Sequence, residues 1–197
     1  MGQRIIGLTG GIATGKSTVS RYLQERHTLP VLDADVYARR AVEPGSSALA
    51  QIVRRYGVAV LMPDGTLNRP SLGDIIFNNP AEKTWLEQQI HPIVRQCFVA
   101  AMADLQNKPI VVQAIPLLFE ANLTDQVTEI WVVACRPEQQ RQRLMARNRL
   151  SLEQAEARIQ NQMPLADKIA QADQVLDNST DLPSLFRQVD QALQQSI

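Results

Sequence analysis

Hydrophobic and polar positions along the chain fall into two textures. Toward both ends, short apolar runs alternate with amphipathic stretches, whereas residues 40–107 read as helical almost throughout. "RIIGLTG" is an apolar run ending in glycine and predicts a buried strand. From Lys16 to Glu25 the apolar positions Val19, Tyr22 and Leu23 share one helix face. "LPVLDAD" (29–35) predicts a second short strand with acids at its end. "ALAQIVRRYG" (48–57) predicts a helix that stops at Gly57, and "PDG" (63–65) marks a turn. "RPSLGDIIF" opens another helix, with Ser71 as its cap and Asp74 three residues on. Residues 81–105 form a long helical stretch, interrupted or kinked near Pro92.

The texture then changes. "PIVVQAIPLLF" (109–119) and "EIWVVAC" (129–135) are nearly unbroken apolar runs, the pattern of parallel strands buried on both faces. "PEQQRQRLMAR" predicts a polar, arginine-rich helix, and "SLEQAEARIQNQM" a helix capped by Ser151 with Gln154 as partner. "DQVLDNS" holds a last short strand, and 182–195 a last helix. Alternation of strand and helix at both ends predicts an α/β core with a mostly parallel sheet and a helical insertion.

Composition narrows the classes. A chain of 197 residues with 45% hydrophobic residues suits one globular domain with an inserted lobe. Twenty basic and twenty acidic residues cancel, which argues against a nucleic-acid-coating protein. Sixteen of the bases are Arg, whose planar fork suits phosphate. Cys97 and Cys135 lie far apart and read as core thiols in a reducing compartment. No apolar run reaches the roughly 20 residues of a membrane span, and no signal-peptide pattern is present. A cytoplasmic protein with no membrane or nucleic-acid partner is expected.

The candidate chemistry begins with "GLTGGIATGKST" (7–18). Gly10, Gly15, Lys16 and Ser17 fit G-x-x-x-x-G-K-[ST] between a predicted strand and a predicted helix. Glycines let backbone N–H groups converge on phosphate oxygens, and the helix N-terminus adds the positive end of its dipole. Lys16 would neutralise β/γ-phosphate charge, and Ser17 would ligate Mg²⁺. A guanine-reading N-K-x-D is absent, since "NKPI" (107–110) ends in Ile110. The two acids of "LDAD", Asp33 and Asp35, share a face if the segment is extended. Either could take a proton from an attacking hydroxyl, hold Mg²⁺ through water, or simply cap a helix. Arg39, four residues after Asp35, either binds substrate phosphate or pairs with that acid. Arg143 and Arg147 are i, i+4 neighbours in an arginine-rich segment. His91 reads as a buried, hydrogen-bonded residue in preference to a base, His27 as a surface residue, and Trp85 and Trp131 as core.

In order along the chain, "GLTGGIATGKST", "DADVYAR", "VEPG" (42–45), "RPSLGDIIF", "IHPIV" (90–94), "PLLFE" (116–120), "QMPLADKIAQAD" (162–173) and "DNS" (177–179) resemble the dephospho-coenzyme A kinase family. The resemblance implies a P-loop kinase fold, three-layer α/β/α. It implies a single domain over 1–197, with core 1–39, 108–137 and 171–197, an acceptor-binding insertion 40–107 and a lid 138–170. It implies transfer of the ATP γ-phosphoryl group to the ribose 3′-hydroxyl of dephospho-coenzyme A, with Mg²⁺, by a monomer or small homo-oligomer. A nucleoside monophosphate kinase of the same fold is the alternative. The resemblance makes Asp35 the base, with Asp33 as runner-up or helper at the magnesium beside Ser17. Gly10, Gly11, Ala13, Thr14, Gly15, Lys16, Ser17 and Thr18 would hold ATP phosphates, and Asn178 would approach the adenine. Arg39, Arg69 and His91 would line the acceptor site with Asp33 and Asp35, and Arg143 and Arg147 would close over ATP. Ala13 and Thr14 stand where the family usually has glycine and serine, and Arg149 where glycine is common.

Overall fold

The computed structural model describes residues 2–77 and 79–195. The elements run β1 (Arg4–Gly10), α1 (Lys16–His27), β2 (Val31–Asp33), α2 (Ala34–Arg40), α3 (Ser47–Tyr56), α4 (Arg69–Phe77), α5 (Pro80–Asp104), β3 (Ile110–Ala114), β4 (Glu129–Ala134), α6 (Pro137–Asn148), α7 (Leu152–Gln160), α8 (Leu165–Ile169), β5 (Gln174–Asp177) and α9 (Leu182–Gln194). They divide into two compact units, Met1–Asp33 with Leu105–Ile197, and Ala34–Asp104. The sequence reading drew this division at 39/40 and 107/108.

The first unit is a three-layer α/β fold on one five-stranded sheet of order β2-β3-β1-β4-β5, parallel throughout. β1 lies at its centre, where Ile6 registers with Val112 of β3 and Glu129 of β4. Both faces of these strands are covered, which is why their sequences lack the alternation of a half-exposed strand. On one face Ile6, Leu8, Trp131, Val133 and Leu176 pack against Val19 and Leu23 of α1 and Leu185 and Val189 of α9. Tyr22 and His27 fasten α1 to α9. The Tyr22 hydroxyl donates to Asp190, His27 Nε2 lies 2.8 Å from the same carboxylate, and the Tyr22 ring stacks on Phe186 at 4.0 Å. His27 is therefore a half-buried structural residue, where the sequence suggested surface. Trp131 is fully buried, as expected, and its indole N–H donates to Glu129. Glu129 also pairs with Arg4, whose guanidinium donates to the Ala192 and Leu193 carbonyls at the end of α9.

The second unit packs α3, α4 and α5 around Val42, Ile52, Val60, Leu72 and Leu86, and α2 lies against α5, where the Tyr37 ring meets Phe98 edge-on. Several expected details change here. The cap of α4 is Asn68, whose side chain accepts from the Ser71 N–H, so Ser71 sits inside the helix. α5 runs through Pro92 without a break, at the cost of one backbone bond to the Gln88 carbonyl. On the α3–α5 seam Arg55 donates twice to Glu82, at 2.6 and 2.8 Å, and Tyr56 donates to the same carboxylate at 2.5 Å. Trp85 is half-buried beneath the Arg55 guanidinium, 4.5 Å from ring centroid to Cζ. The hydrogen bonds from Arg55, then those from Tyr56, pull the Glu82 carboxyl from its usual 4.5 to about 2.

A carboxyl whose folded pKa is depressed stabilises above its unfolded pKa and loses that contribution as pH falls through the folded value. Glu82 therefore supports the fold above about pH 4.5 and ceases to do so near pH 2. Glu82→Gln is expected to flatten the fall of melting temperature across that window. A variant melting curve as steep in acid as the wild type would contradict the role of this seam.

Candidate active site

The chain leaves the centre of the sheet at Gly10 and enters α1 at Lys16, so the loop between them sits at the carboxyl edge of the parallel strands. That edge is where α/β folds bind ligands. α1 has no capping side chain and no acid in its first turn. The Thr18 and Val19 N–H groups turn back to the Gly15 carbonyl, while the start of the helix presents its positive dipole end. Within the loop, Thr14 folds back onto Gly11: both its N–H and its hydroxyl donate to the Gly11 carbonyl, at 3.2 and 2.9 Å. Gly15 has φ 114°, and a Cβ there would lie 2.1 Å from the Asn178 amide nitrogen, so both backbone and space require glycine.

Ala13 is left-handed, at φ 63°. Its methyl costs about 1–2 kcal/mol relative to glycine in that region. The same conformation recurs at Arg149, φ 54°, which ends α6 by donating its N–H to the Met145 carbonyl. Both departures from glycine noted in the sequence thus fall at positions whose backbone suits glycine.

Lys16 is largely buried, and its Nζ lies 3.6 Å from Asp33 Oδ2 at the end of β2. Asp33 and Asp35 do not share an extended face. β2 ends at Asp33 and α2 begins at Ala34, so Asp35 occupies the first turn of a helix, with Arg39 four residues on. Ser17 is exposed at the second position of α1. Hydroxyl and carboxylate oxygens are donors that suit Mg²⁺, which binds through few protein ligands, phosphates and water. Among the described residues no group of three or more His, Cys, Asp or Glu is arranged to hold a metal alone.

The remaining expected site residues fall in two places. In the second unit, Arg69 donates to the Arg39 carbonyl at 3.4 Å, and neither arginine has a carboxylate partner among the described residues. Burial, then the like charge of Arg39, lowers the pKa of Arg69. Two cations held together without an acid form an anion-seeking pair. His91 is exposed on α5, not buried. In the first unit, Arg143 donates to the Asn178 carbonyl at 3.0 Å, and its Nη1 is buried with no hydrogen-bond partner among the described residues. Arg147 is exposed and reaches Asn148. Arg141 takes the nearby acids, Glu138 and Glu156, both at 3.5 Å. The Asn178 side chain is buried and donates to the Thr14 carbonyl at 2.7 Å.

Sequence reasoning missed Lys168. It is fully buried, with Nζ 2.8 Å from Glu120 and 3.2 Å from the Pro116 carbonyl, which also accepts from Thr9 of β1. Glu120 accepts from the Met163 N–H as well. Burial pushes the Glu120 carboxyl up, but Lys168 and the backbone amides outweigh it and hold the net pKa low. The stretches "PLLFE" and "QMPLADK", separate in sequence, are one ion-paired junction. The signal was a lysine on a five-residue helix in a chain with only four lysines.

The dephospho-CoA kinase family model matches residues 4–184. The chain belongs to the dephospho-CoA kinase family. A Synechocystis protein named dephospho-CoA kinase is 59% identical over 187 residues, covering 95% of this chain and 93% of the relative. One of the same name from Trichormus variabilis is 60% identical over 193 residues, covering 98% of each. Among solved structures, one from Thermus thermophilus has a TM-score of 0.81 at 34% identity, covering 98% of this chain and 97% of the other. A Campylobacter jejuni dephospho-CoA kinase has a TM-score of 0.70 at 26% identity, covering 96% and 95%. No helix among the described residues is long and apolar enough to cross a membrane.

Ala13→Gly is expected to raise the unfolding free energy by about 1 kcal/mol in a denaturant titration. An unchanged or lower value would contradict the left-handed backbone at this position.

Proposed function

We propose that this chain transfers the γ-phosphoryl group of ATP to the ribose 3′-hydroxyl of dephospho-coenzyme A, releasing ADP. The observation that carries the reading is the family match over residues 4–184, on a chain whose glycine loop opens α1 with Lys16 at its first position.

Loop N–H groups and Lys16 bind the β- and γ-phosphates. Ser17 and Asp33 offer oxygen ligands to Mg²⁺, which when bound neutralises phosphate charge. Asp35 orients the acceptor hydroxyl and takes its proton as the new O–P bond forms. The bond from the γ-phosphorus to the β-phosphoryl oxygen breaks, and ADP carries away that oxygen's charge. Arg39 and Arg69 bind an anionic group of the acceptor, and His91 belongs to the same segment set. Arg147, exposed and without a carboxylate partner among the described residues, offers its charge to the transferring phosphate, while Arg143 braces the backbone at Asn178. The protein works in the cytoplasm as a monomer or small homo-oligomer, without a nucleic-acid partner.

Asp35→Asn is expected to lower kcat by about 10²-fold or more, with ATP binding retained. Turnover close to wild type in that variant would remove Asp35 from the proton transfer. Lys16→Ala should weaken both ATP binding and rate; an unaltered ATP titration would exclude Lys16 from the phosphate site.

A further inference from the structure

Three side-chain amides reach the phosphate loop from three distant parts of the chain. Gln140 of α6 donates its Nε2 to the Ile12 carbonyl at 2.9 Å. Gln162, two residues past α7, accepts from the Ile12 N–H at 2.8 Å. Asn178, just after β5, donates to the Thr14 carbonyl at 2.7 Å. Polarity fixes the orientation of each amide, because an N–H requires an oxygen and a carbonyl requires an N–H. Ile12 therefore has both backbone groups satisfied by side chains, at a point where the loop belongs to neither strand nor helix. Partly buried backbone groups left unpaired would be costly, so these amides decide which way the Ile12 peptide groups face.

Gly11 carries the imprint of this contact. A Cβ there would lie 2.6 Å from Gln140 Nε2, and the residue is not left-handed. A side chain at 11 would have to displace the Gln140 amide from the space it occupies. Gln140 is itself buried. Gln140 and Gln162 both belong to the helical segment between β4 and β5.

We propose that Gln140 and Gln162 are positioning residues for the nucleotide: they hold the back of the loop so that its remaining N–H groups converge on phosphate. Loop order then depends on the seating of the α6–α7 segment, which is the means by which that segment senses and tunes triphosphate affinity. The proposal rests on the kinase reading above and extends it to two residues that touch the loop and not the acceptor.

The test is direct titration of Mg·ATP, with the KM for dephospho-coenzyme A as a second readout. Gln162→Met keeps the side-chain volume and removes the acceptor. It is expected to weaken Mg·ATP binding about 5-fold, the effect of one hydrogen bond, with the acceptor KM unchanged. Gly11→Ala displaces the Gln140 amide, so Gly11→Ala and Gln140→Ala are expected to be non-additive, the double variant binding Mg·ATP no more weakly than the worse single variant. Wild-type affinity in Gln162→Met, equal rises in both substrate constants, or additive losses in the Gly11/Gln140 cycle would overturn the proposal while leaving the kinase reading intact. Absence of Mg·ATP binding by the wild type would overturn both.

Discussion

A loop that binds phosphate through its backbone must hold several N–H dipoles pointing one way, against their mutual repulsion and against the chain's own carbonyls. The structure meets this constraint between Gly10 and Lys16 from two directions. In front, α1 starts without a capping side chain or an acid in its first turn, so its dipole is not satisfied from within. Behind, Gln140, Gln162 and Asn178 fix the Ile12 and Thr14 peptide groups. The sheet supplies the anchor. β1 is central and pairs with β3 and β4, so the point where the loop begins cannot shift without disturbing three strands.

The charges follow the same economy. Glu129 and Arg4 satisfy one another at the opposite edge of the sheet from the loop, and Arg4 also closes α9. Glu120 and Lys168 lock the turn after β3 to α8 and, through Pro116, to Thr9 beside the loop. Buried Glu129 and Lys168 are each paired and hydrogen-bonded, the condition under which burial is tolerated. Arg39, Arg69, Arg143 and Arg147, which the proposed function assigns to phosphate, have no ion pair among the described residues, a state they share with most of the chain's other arginines. Arg141, two residues before Arg143, is taken up by Glu138 and Glu156.

How far the sequence could be read depended on the range of the interaction concerned. The apolar runs at β3 and β4 announced strands buried on both faces, and the Ser151–Gln154 capping box is present as expected. The phosphate loop was legible because strand, glycines, lysine and helix lie within eighteen residues. Asp33 and Asp35 were misread as neighbours on an extended face because α2 starts at Ala34, two residues earlier than a strand through Asp35 would allow. The clamp on Ile12 and Thr14 was invisible, since its partners are separated by 128, 150 and 164 residues and are ordinary amides with no charge pattern. Lys168 and Glu120, 48 residues apart, were likewise two isolated charges until the fold joined them.

The measurement closest to the central claim is product analysis with the intact protein. It should be incubated with Mg·ATP and dephospho-coenzyme A, with ADP release followed and the product located by phosphorus and proton NMR. The account predicts one ADP per acceptor consumed and a new phosphate ester on the ribose 3′-oxygen, with no release above background when AMP or CMP replaces the acceptor. ADP release with a nucleoside monophosphate and none with dephospho-coenzyme A would contradict it.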